Sequence, residues 1–517
     1  MITITEYKNN PILTRFDKVI AMNPPSPTGY VSNKDSMGGF GQLFPVGATL
    51  FPPLDLVYFT SYLVERNISV VVQDCLGLEL TKEQIIQNLV LDYGNESDTA
   101  ILLIVRTSAP TLDWDLSVCS EIKAKIPNLE IGIYGPVVLH VVARIQKEAC
   151  IDYIIPTDPD EVVYELMTNH SKAEILGLVY REQEEWYRNE DRPLIKDLDS
   201  LPFPKWELFP FQKYQLPKSS TKSGLSGVFL PMLTSRGCPI GCNYCPYPVG
   251  QGLAWRHRSA ENVVDEIEHL VKDLDVEYIL FRDPIFSLNQ NRVIKICQEI
   301  IDRGLQFEWR CETRVDCLNQ DTLKMMAKAG CSGINFGIES ADIQIQINVG
   351  RKPIAQEQFV QMISTCRELG IKTFSFFIVG LPGDTVQSIL RTIKFAINLQ
   401  PNWVQFTAAS PFIGTKLRDW AITQGFVTED EYAYISSHEV AIGNENLSKE
   451  QIQSLLWFAK LIGNYLINRK GILKDDSRLD WFYKMTKVTA DRVSSQIAQI
   501  LFVFGQSYFE KKFKSPT

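Results

Sequence analysis

Apolar and polar positions alternate along this chain in two long series, each switching between a strand period and a helix period. In the first third, KVIAMNP (18–24), SVVVQDC (69–75), TAILLIV (99–105), EIGIYG (130–135) and IDYIIP (151–156) are short, β-branched apolar runs. Amphipathic stretches such as LDLVYFTSYLVERN (54–67) and LSVCSEIKAKI (116–126) separate them. Near-continuous apolar strands between helices predict an α/β domain whose doubly wound parallel sheet is covered on both faces. Ligands of such sheets bind beyond the carboxyl ends of the strands. A second series begins at Val228: VFLPMLTS (228–235), YILFRDP (278–284), FEWRCET (307–313), GINFGIES (333–340), TFSFFIVG (373–380) and WVQFTAAS (403–410). Between them AENVVDEIEHLVKDL, QNRVIKICQEIIDR, QDTLKMMAKA, AQEQFVQMISTCREL and DTVQSILRTIKFAINL carry the helical period. Six consecutive β/α units with polar strand ends predict a partly closed (β/α)6 barrel with its chemistry at the C-terminal strand ends.

These patterns divide the chain into residues 1–169 for the first sheet, a linker at 170–226, the barrel at 227–426 and a helical region at 427–517. Within the linker, LGLVYREQEEWYRN reads as a small hairpin and DLDSLPFPKWELFP as a proline-punctuated crossing. The connection 24–53, rich in Pro and Gly, is unusually long, and a loop of that length is functional or disordered. It leaves the first strand at the edge where a ligand is expected.

Composition narrows the class. With 45% hydrophobic and 22% charged residues and a net charge of −9, the chain has the profile of a soluble globular protein and no broad nucleic-acid-binding surface. No secretory signal opens the chain and no apolar run reaches membrane-spanning length, so a cytoplasmic protein is expected. Its eleven cysteines are then reduced thiols, most of them small buried hydrophobes.

Three cysteines stand apart. Thr234–Pro248 reads TSRGCPIGCNYCPYP and follows the first barrel strand, spacing Cys238, Cys242 and Cys245 as C-x-x-x-C-x-x-C. Glycines before two of them permit short turns that bring thiolates to one iron–sulfur cluster. Three thiolates leave one iron open for a substrate or cofactor. The alternative is a structural zinc site, which wants a fourth ligand, and His257 is the nearby candidate.

The triad, with aromatic Tyr244 before its last cysteine and on the first loop of a β/α barrel, resembles the radical S-adenosylmethionine (SAM) superfamily over about residues 228–420. The resemblance implies a [4Fe–4S] cluster on Cys238, Cys242 and Cys245, with SAM chelating the open iron and yielding a 5′-deoxyadenosyl radical. It also implies SAM contacts at Tyr244, at the strand ends Asp283, Glu312, Arg314, Glu339 and Ser340, and at Gly380 and Pro382 in VGLPG (379–383). Arg clasps carboxylates, whereas acidic and hydroxyl side chains suit ribose or ammonium groups. An internal Glu312–Arg314 ion pair and a plain strand-ending turn at 379–383 are the competing readings.

The first domain, the DLDSLPFPKW linker and segments such as AWRHRSAENVVDEI resemble the cobalamin-binding subclass of that superfamily. The resemblance then runs over roughly residues 18–420, with a Rossmann-like, cobalamin-binding-like first domain and a TIM-like barrel. It implies cobalamin near Thr107, Ser108, Gly135 and Pro136, a small-molecule or peptide substrate, and an electron donor such as flavodoxin or ferredoxin. The activity implied is C-methylation of an unactivated carbon in a natural product or metabolite. The alternative is a non-methylating cyclase or oxidative rearrangement enzyme. The sequence departs from other cobalamin proteins in lacking D-x-H-x-x-G, and Pro156-Thr157-Asp158 stands where a glycine-acid pair is expected. Cys311, Cys317 and Cys331 are read as buried thiols rather than ligands of a second cluster, His257 as part of an exposed basic stretch, and 494–514 as a docked amphipathic helix.

Overall fold

The computed structural model describes residues 14–94, 99–168, 170–216, 227–429, 431, 439–463, 503 and 505–507. By Cα proximity they gather into two compact units. One comprises the residues up to Gly237 with Pro246–Ile279, the other Cys238–Cys245 with Leu280–Glu429 and the described residues beyond 436. The fold is α/β with parallel sheets, the second a half-barrel.

The first sheet holds β1 (Lys18–Asn23), β2 (Val70–Asp74), β3 (Ile101–Arg106), β4 (Glu130–Tyr134) and β5 (Tyr153–Ile155). It ends in the antiparallel pair β6 (Val179–Glu182) and β7 (Glu185–Arg188), the hairpin expected there. Its order is β2-β1-β3-β4-β5-β6-β7, parallel from β2 to β5. All six residues of β3 are buried, as expected of a strand covered on both faces. Chain order reverses between β1 and β3, which opens the crevice of a doubly wound sheet at their carboxyl ends. The helix expected from Leu116 begins one turn earlier and spans Leu112–Lys125. The connection 24–53 is ordered. It folds into an antiparallel ribbon, Tyr30–Asn33 against Gln42–Pro45, with a tight turn at Ser36–Gly39.

The second sheet runs β8 (Gln215–Leu216), β9 (Gly227–Met232), β10 (Tyr278–Phe281), β11 (Glu308–Thr313), β12 (Cys331–Glu339), β13 (Lys372–Val379) and β14 (Trp403–Ala408) in that order. Strands β11 to β14 pair in parallel. Burial alternates residue by residue along β11 and β13: one side is sealed and the other stays partly open. This is the signature of a curled sheet with helices on its outer face and a usable concave face. The intervening helices start where the chain supplies caps, at Ser259, Asn289, Asn319 and Thr385, each of whose side chains accepts a backbone N–H of the first turn. Among the described residues no helix is long and apolar enough to cross a membrane. The stretch 494–514 lies almost entirely outside the described residues.

Candidate functional site

The cysteine loop is built by a short ribbon and two glycines. Ser235–Arg236 pair antiparallel with Arg256–His257. At Gly237 φ is +86°, and a Cβ there would stand 2.1 Å from the Ala254 carbonyl oxygen, so only glycine can make the turn. Cys238 is buried and Cys242 and Cys245 are partly exposed. The Cys245 N–H donates to the Cys242 carbonyl at 3.1 Å, which closes the second turn. Asn243 anchors the loop tip: its N–H donates to Val349 O and its carbonyl accepts from Leu417 N–H, both at 2.9 Å.

Two buried guanidiniums face these sulfurs. Burial pushes the Cys238 thiol up, while the N–H groups of Ile240 and Gly241 and the charges of Arg314 and Arg351 pull it back toward thiolate. Burial likewise raises Cys242, with Arg351 the main opposing charge. Arg351 Nη1 donates to the Tyr244 hydroxyl at 3.1 Å and to Glu339 Oε1 at 3.3 Å, and its Nη2 donates to the Gly337 carbonyl. Glu339 holds this position with φ at +67°, after a bulge that shifts its register against β13. Non-glycine residues rarely adopt that conformation, and here the bulge and the Arg351 contact hold it. Arg314 is gripped bidentately by Asp316, at 2.9 and 3.0 Å, while its Nη1 is buried without a hydrogen-bond partner.

Cys238, Cys242, Cys245, Tyr244, Glu339 and Arg314 are therefore brought together, and Arg351 joins them without having been expected. The Glu312–Arg314 ion pair, the competing reading, does not form. Glu312 instead pairs with Arg282, Nη1 to Oε1 at 2.6 Å, and Arg314 turns to Asp316 because the chain leaves the strand between the two. Asp283 is fully buried at the end of β10. Ser340 faces inward, its Oγ 3.3 Å from Thr392 Oγ1 and accepting the Asp342 N–H. At Gly380 and Leu381 the backbone N–H groups donate to Asp384 Oδ2 at 3.1 and 3.0 Å, so a buried carboxylate holds the 379–383 turn that includes Pro382.

Asp384 yields a pH prediction. Burial raises its carboxyl to about 7 against the pull of Ser388 and those two N–H groups. A carboxyl with a raised folded-state pKa favours the fold while protonated. Its contribution is complete below the unfolded value and is lost as pH climbs through about 7. The stability of wild type relative to Asp384→Asn should therefore fall from pH ~4 to ~7 and flatten above, by at most ~4 kcal/mol at roughly 1.4 kcal/mol per tenfold. Urea melts of both proteins across that range check it.

Among the described residues no set of three or more His, Cys, Asp or Glu side chains is gathered as a single metal ion requires. His257 is committed elsewhere, with Nδ1 3.1 Å from the Arg258 carbonyl and its ring against Trp255. A cubane places each cysteine on a different iron, so its three thiolates need not meet at one atom. Cationic guanidiniums and backbone N–H groups around the sulfurs suit such an anionic cluster. Cys311 and Cys331 lie against each other on β11 and β12, 1% and 0% exposed.

The first sheet carries a second polar cluster at its carboxyl edge. Lys34, 1% exposed, donates from Nζ to the Arg106 carbonyl at 2.9 Å and to Asp115 Oδ2 at 2.8 Å. The same Asp115 oxygen accepts from Thr107 Oγ1 at 2.8 Å and Thr111 Oγ1 at 2.7 Å. Arg106 meets Asp35 at 2.9 Å and Asp55 at 2.5 Å. Burial lowers Lys34 and raises Asp115, and their mutual attraction opposes both shifts. Ser108 is fully buried, its Oγ 2.8 Å from Thr111 Oγ1. Gly39 and Gly41 of the ribbon tip lie on these strand ends, where a Cβ would come within 2.5 Å of Pro136 Cγ and of Ser108 Oγ. Gly135, with φ at +149°, fits 2.3 Å from the Thr107 carbonyl by the same measure. Lys34, Arg106 and Asp115 were not anticipated. The one local signal was an arginine ending the apolar run ILLIV.

Comparison with known proteins agrees with this geometry. The model of the Radical SAM superfamily matches residues 232–396, which span the cysteine loop and Arg314, Glu339 and Arg351. An uncharacterized methyltransferase of Pyrococcus horikoshii is 30% identical over 437 residues, 83% of this chain and 91% of its own length. The chain belongs to the radical SAM superfamily. This radical SAM enzyme is also similar to the anaerobic magnesium-protoporphyrin IX monomethyl ester cyclase of Rubrivivax gelatinosus, at 28% identity over 377 residues, 69% of this chain and 64% of the cyclase. Its fold is shared by the radical SAM methyltransferase TsrM of Kitasatospora setae, a structure with cobalamin and a [4Fe–4S] cluster bound. The TM-score is 0.61 at 18% identity, covering 79% of this chain and 75% of TsrM.

Proposed function

We propose that this radical SAM enzyme is a cobalamin-dependent methyltransferase acting on an unactivated carbon of a small-molecule or peptide substrate. The observation that carries it is the cysteine loop pinned beside Tyr244, Glu339, Arg351 and Arg314, a pocket edge with the charge to hold both a cluster and the amino-acid end of SAM. The cluster supplies one-electron cleavage of SAM, and cobalamin supplies a methyl carrier. Within this chain, Cys238, Cys242 and Cys245 hold the cluster. Arg314, through its unpartnered Nη1, and Arg351 receive a carboxylate, and Glu339 receives an ammonium or ribose hydroxyl. Asp283 and Glu312 stand at neighbouring strand ends, while Ser340, Gly380 and Pro382 shape the backbone behind them. A small redox protein of the flavodoxin or ferredoxin kind serves as electron donor.

The first parallel sheet is the proposed cobalamin-binding region, assigned to residues 1–169, with 170–226 as linker, 227–426 as barrel and 427–517 as the helical region. The corrin edge is assigned to Thr107, Ser108, Gly135 and Pro136. Support comes from the doubly wound strand order, the crevice at the ends of β1 and β3, and the likeness to TsrM. The second reading, a cyclase, draws on the likeness to the Rubrivivax enzyme.

A substrate-independent experiment separates the two. The protein is reconstituted anaerobically with iron, sulfide and hydroxocobalamin, reduced, and given SAM labelled in its methyl group. Label should pass to the corrin, with S-adenosylhomocysteine released. Formation of 5′-deoxyadenosine without any labelled corrin would favour the cyclase reading, and failure to retain corrin would remove cobalamin from the assignment.

A further inference from the structure

The C-terminal region reaches back to the turn that ends β13. Gly380 and Gly383 of that turn take φ values of +87° and +84°. Its backbone is bonded by three consecutive residues far downstream, Asn444, Glu445 and Asn446. Asn444 Nδ2 donates to the Leu381 carbonyl at 2.9 Å and to the Asp384 carbonyl at 3.1 Å. Its Oδ1 accepts the N–H groups of Asn446 and Leu447, both at 2.9 Å, so this buried amide is fully used and can point only one way. Glu445 Oε2 accepts the Gly383 N–H at 2.9 Å, and Asn446 Nδ2 donates to the Gly383 and Asp384 carbonyls at 3.2 Å. The helix Lys449–Ile462 follows directly, capped by Ser448. It sets Ile452 against Gly380, where a Cβ would come within 2.8 Å of Ile452 Cγ2. The turn also meets Asn348: a Cβ on Gly383 would stand 2.6 Å from its Nδ2. The Asn348 carbonyl in turn accepts from Asn243 Nδ2 at 3.4 Å, at the tip of the cysteine loop.

A turn with two left-handed glycines has little preference of its own for one shape, because glycine loses the most backbone entropy on ordering. Asp384 holds this turn from within, and the 444–446 segment holds it from a distant part of the chain. Removing the Asn444 amide would strip a donor from two carbonyls of buried residues, where water is a poor replacement. The position of the turn ties this to SAM. Tyr244, Arg351 and Glu339, beside the cysteine loop, take the amino-acid end in the reading above, so the end of the neighbouring strand is left for the nucleoside. Among the described residues the Gly380 and Pro382 carbonyls accept no hydrogen bond, which leaves them open to a donor such as the amino group of a base. We propose that Asn444 and Glu445 are positioning residues that hold the Gly380–Asp384 turn in the shape that receives the nucleoside end of SAM. The C-terminal segment thus completes the SAM site through the turn. The inference rests on the radical SAM reading above and adds two residues to that same site.

The test uses the full-length protein reconstituted with iron and sulfide. Equilibrium dialysis gives SAM affinity, and electron paramagnetic resonance of the reduced cluster is recorded without SAM and at saturating SAM. Asn444→Asp still accepts the Asn446 and Leu447 N–H groups but turns an acceptor toward the Leu381 and Asp384 carbonyls. It should weaken SAM binding about tenfold, as should Asn444→Ala. Glu445→Ala should weaken it several-fold, whereas Glu445→Gln, which still offers an oxygen to the Gly383 N–H, should keep wild-type affinity. Iron content and the SAM-saturated spectrum should remain those of wild type, since the amino-acid end is held elsewhere. Wild-type affinity in both Asn444 variants, or a saturated spectrum that changes along with affinity, would overturn the proposal. If both Asn444 variants lose iron, the exposed Glu445 decides: equal affinity of Glu445→Ala and Glu445→Gln overturns it as well. Wild type keeps the two conclusions apart. If it binds SAM and the variants match it, the positioning role alone is wrong; if it binds no SAM, the function reading falls.

Discussion

Replacing Cys238, Cys242 and Cys245 together by alanine leaves the purified protein colourless and without detectable SAM cleavage. The loop is held at both ends, by the ribbon at Ser235–Arg236 and by Asn243 bonded to Val349 and Leu417, so the backbone should survive loss of the thiols. Only the metal ligands go. The remaining cysteines cannot replace three ligands, since Cys311 and Cys331 are sealed within the sheet, Cys75, Cys119, Cys150, Cys297 and Cys366 are buried, and the partly exposed Cys317 supplies a single thiol. Iron and sulfide analysis with the visible spectrum gives the answer. Retention of about four irons per chain in the triple variant would mean that another set of side chains holds the cluster. A single Cys245→Ala change should be nearly as severe, because a cubane that has lost one of three protein ligands is open on two irons.

The second large effect is on stability. Lys34→Met should destabilise the first unit by ~3–5 kcal/mol, because it leaves the Asp115 carboxylate buried without its counter-charge. Lys34 is 1% exposed and Asp115 0%, so water cannot replace the lost ammonium, and Thr107 and Thr111 supply only neutral donors. Removing both charges in Lys34→Met/Asp115→Leu should recover much of the loss, since the desolvation cost of the partner disappears with it. Denaturant melts followed by far-ultraviolet circular dichroism compare the three proteins, taking the first transition as the readout. A cost for Lys34→Met within the ~0.5 kcal/mol typical of a surface change would show that the ribbon at 30–45 is not anchored through this pair. The ribbon tip it anchors lies on the strand ends at Ser108 and Pro136.

Much of the architecture was legible one segment at a time. Strand and helix periods are local properties, so the sheet strands of both series came within a few residues of where they fold, and side-chain caps such as Ser259 and Asn289 confirm helix starts that hydrophobic period implies. The cysteine loop was legible for the same reason: three cysteines within eight residues, with glycines at the turns, carry their own geometry. What segment-wise reading could not supply were partners distant in the chain. Arg351 reaches Tyr244 across 107 residues, and nothing near either announces the other. Glu312 and Arg314 looked like a pair because they are close in sequence, yet the competition for each was settled by Arg282 on a neighbouring strand and by Asp316 in the following turn. Lys34 lay in a stretch that read as loop, and only the folded ribbon drives it under the sheet edge to Asp115, 81 residues away. The run FSFFIV shows the division most clearly. Its apolar character made it a strand, but which phenylalanines face the helices and which the open concave side depends on curling of the sheet, because side chains alternate between faces and closure decides which face water can reach.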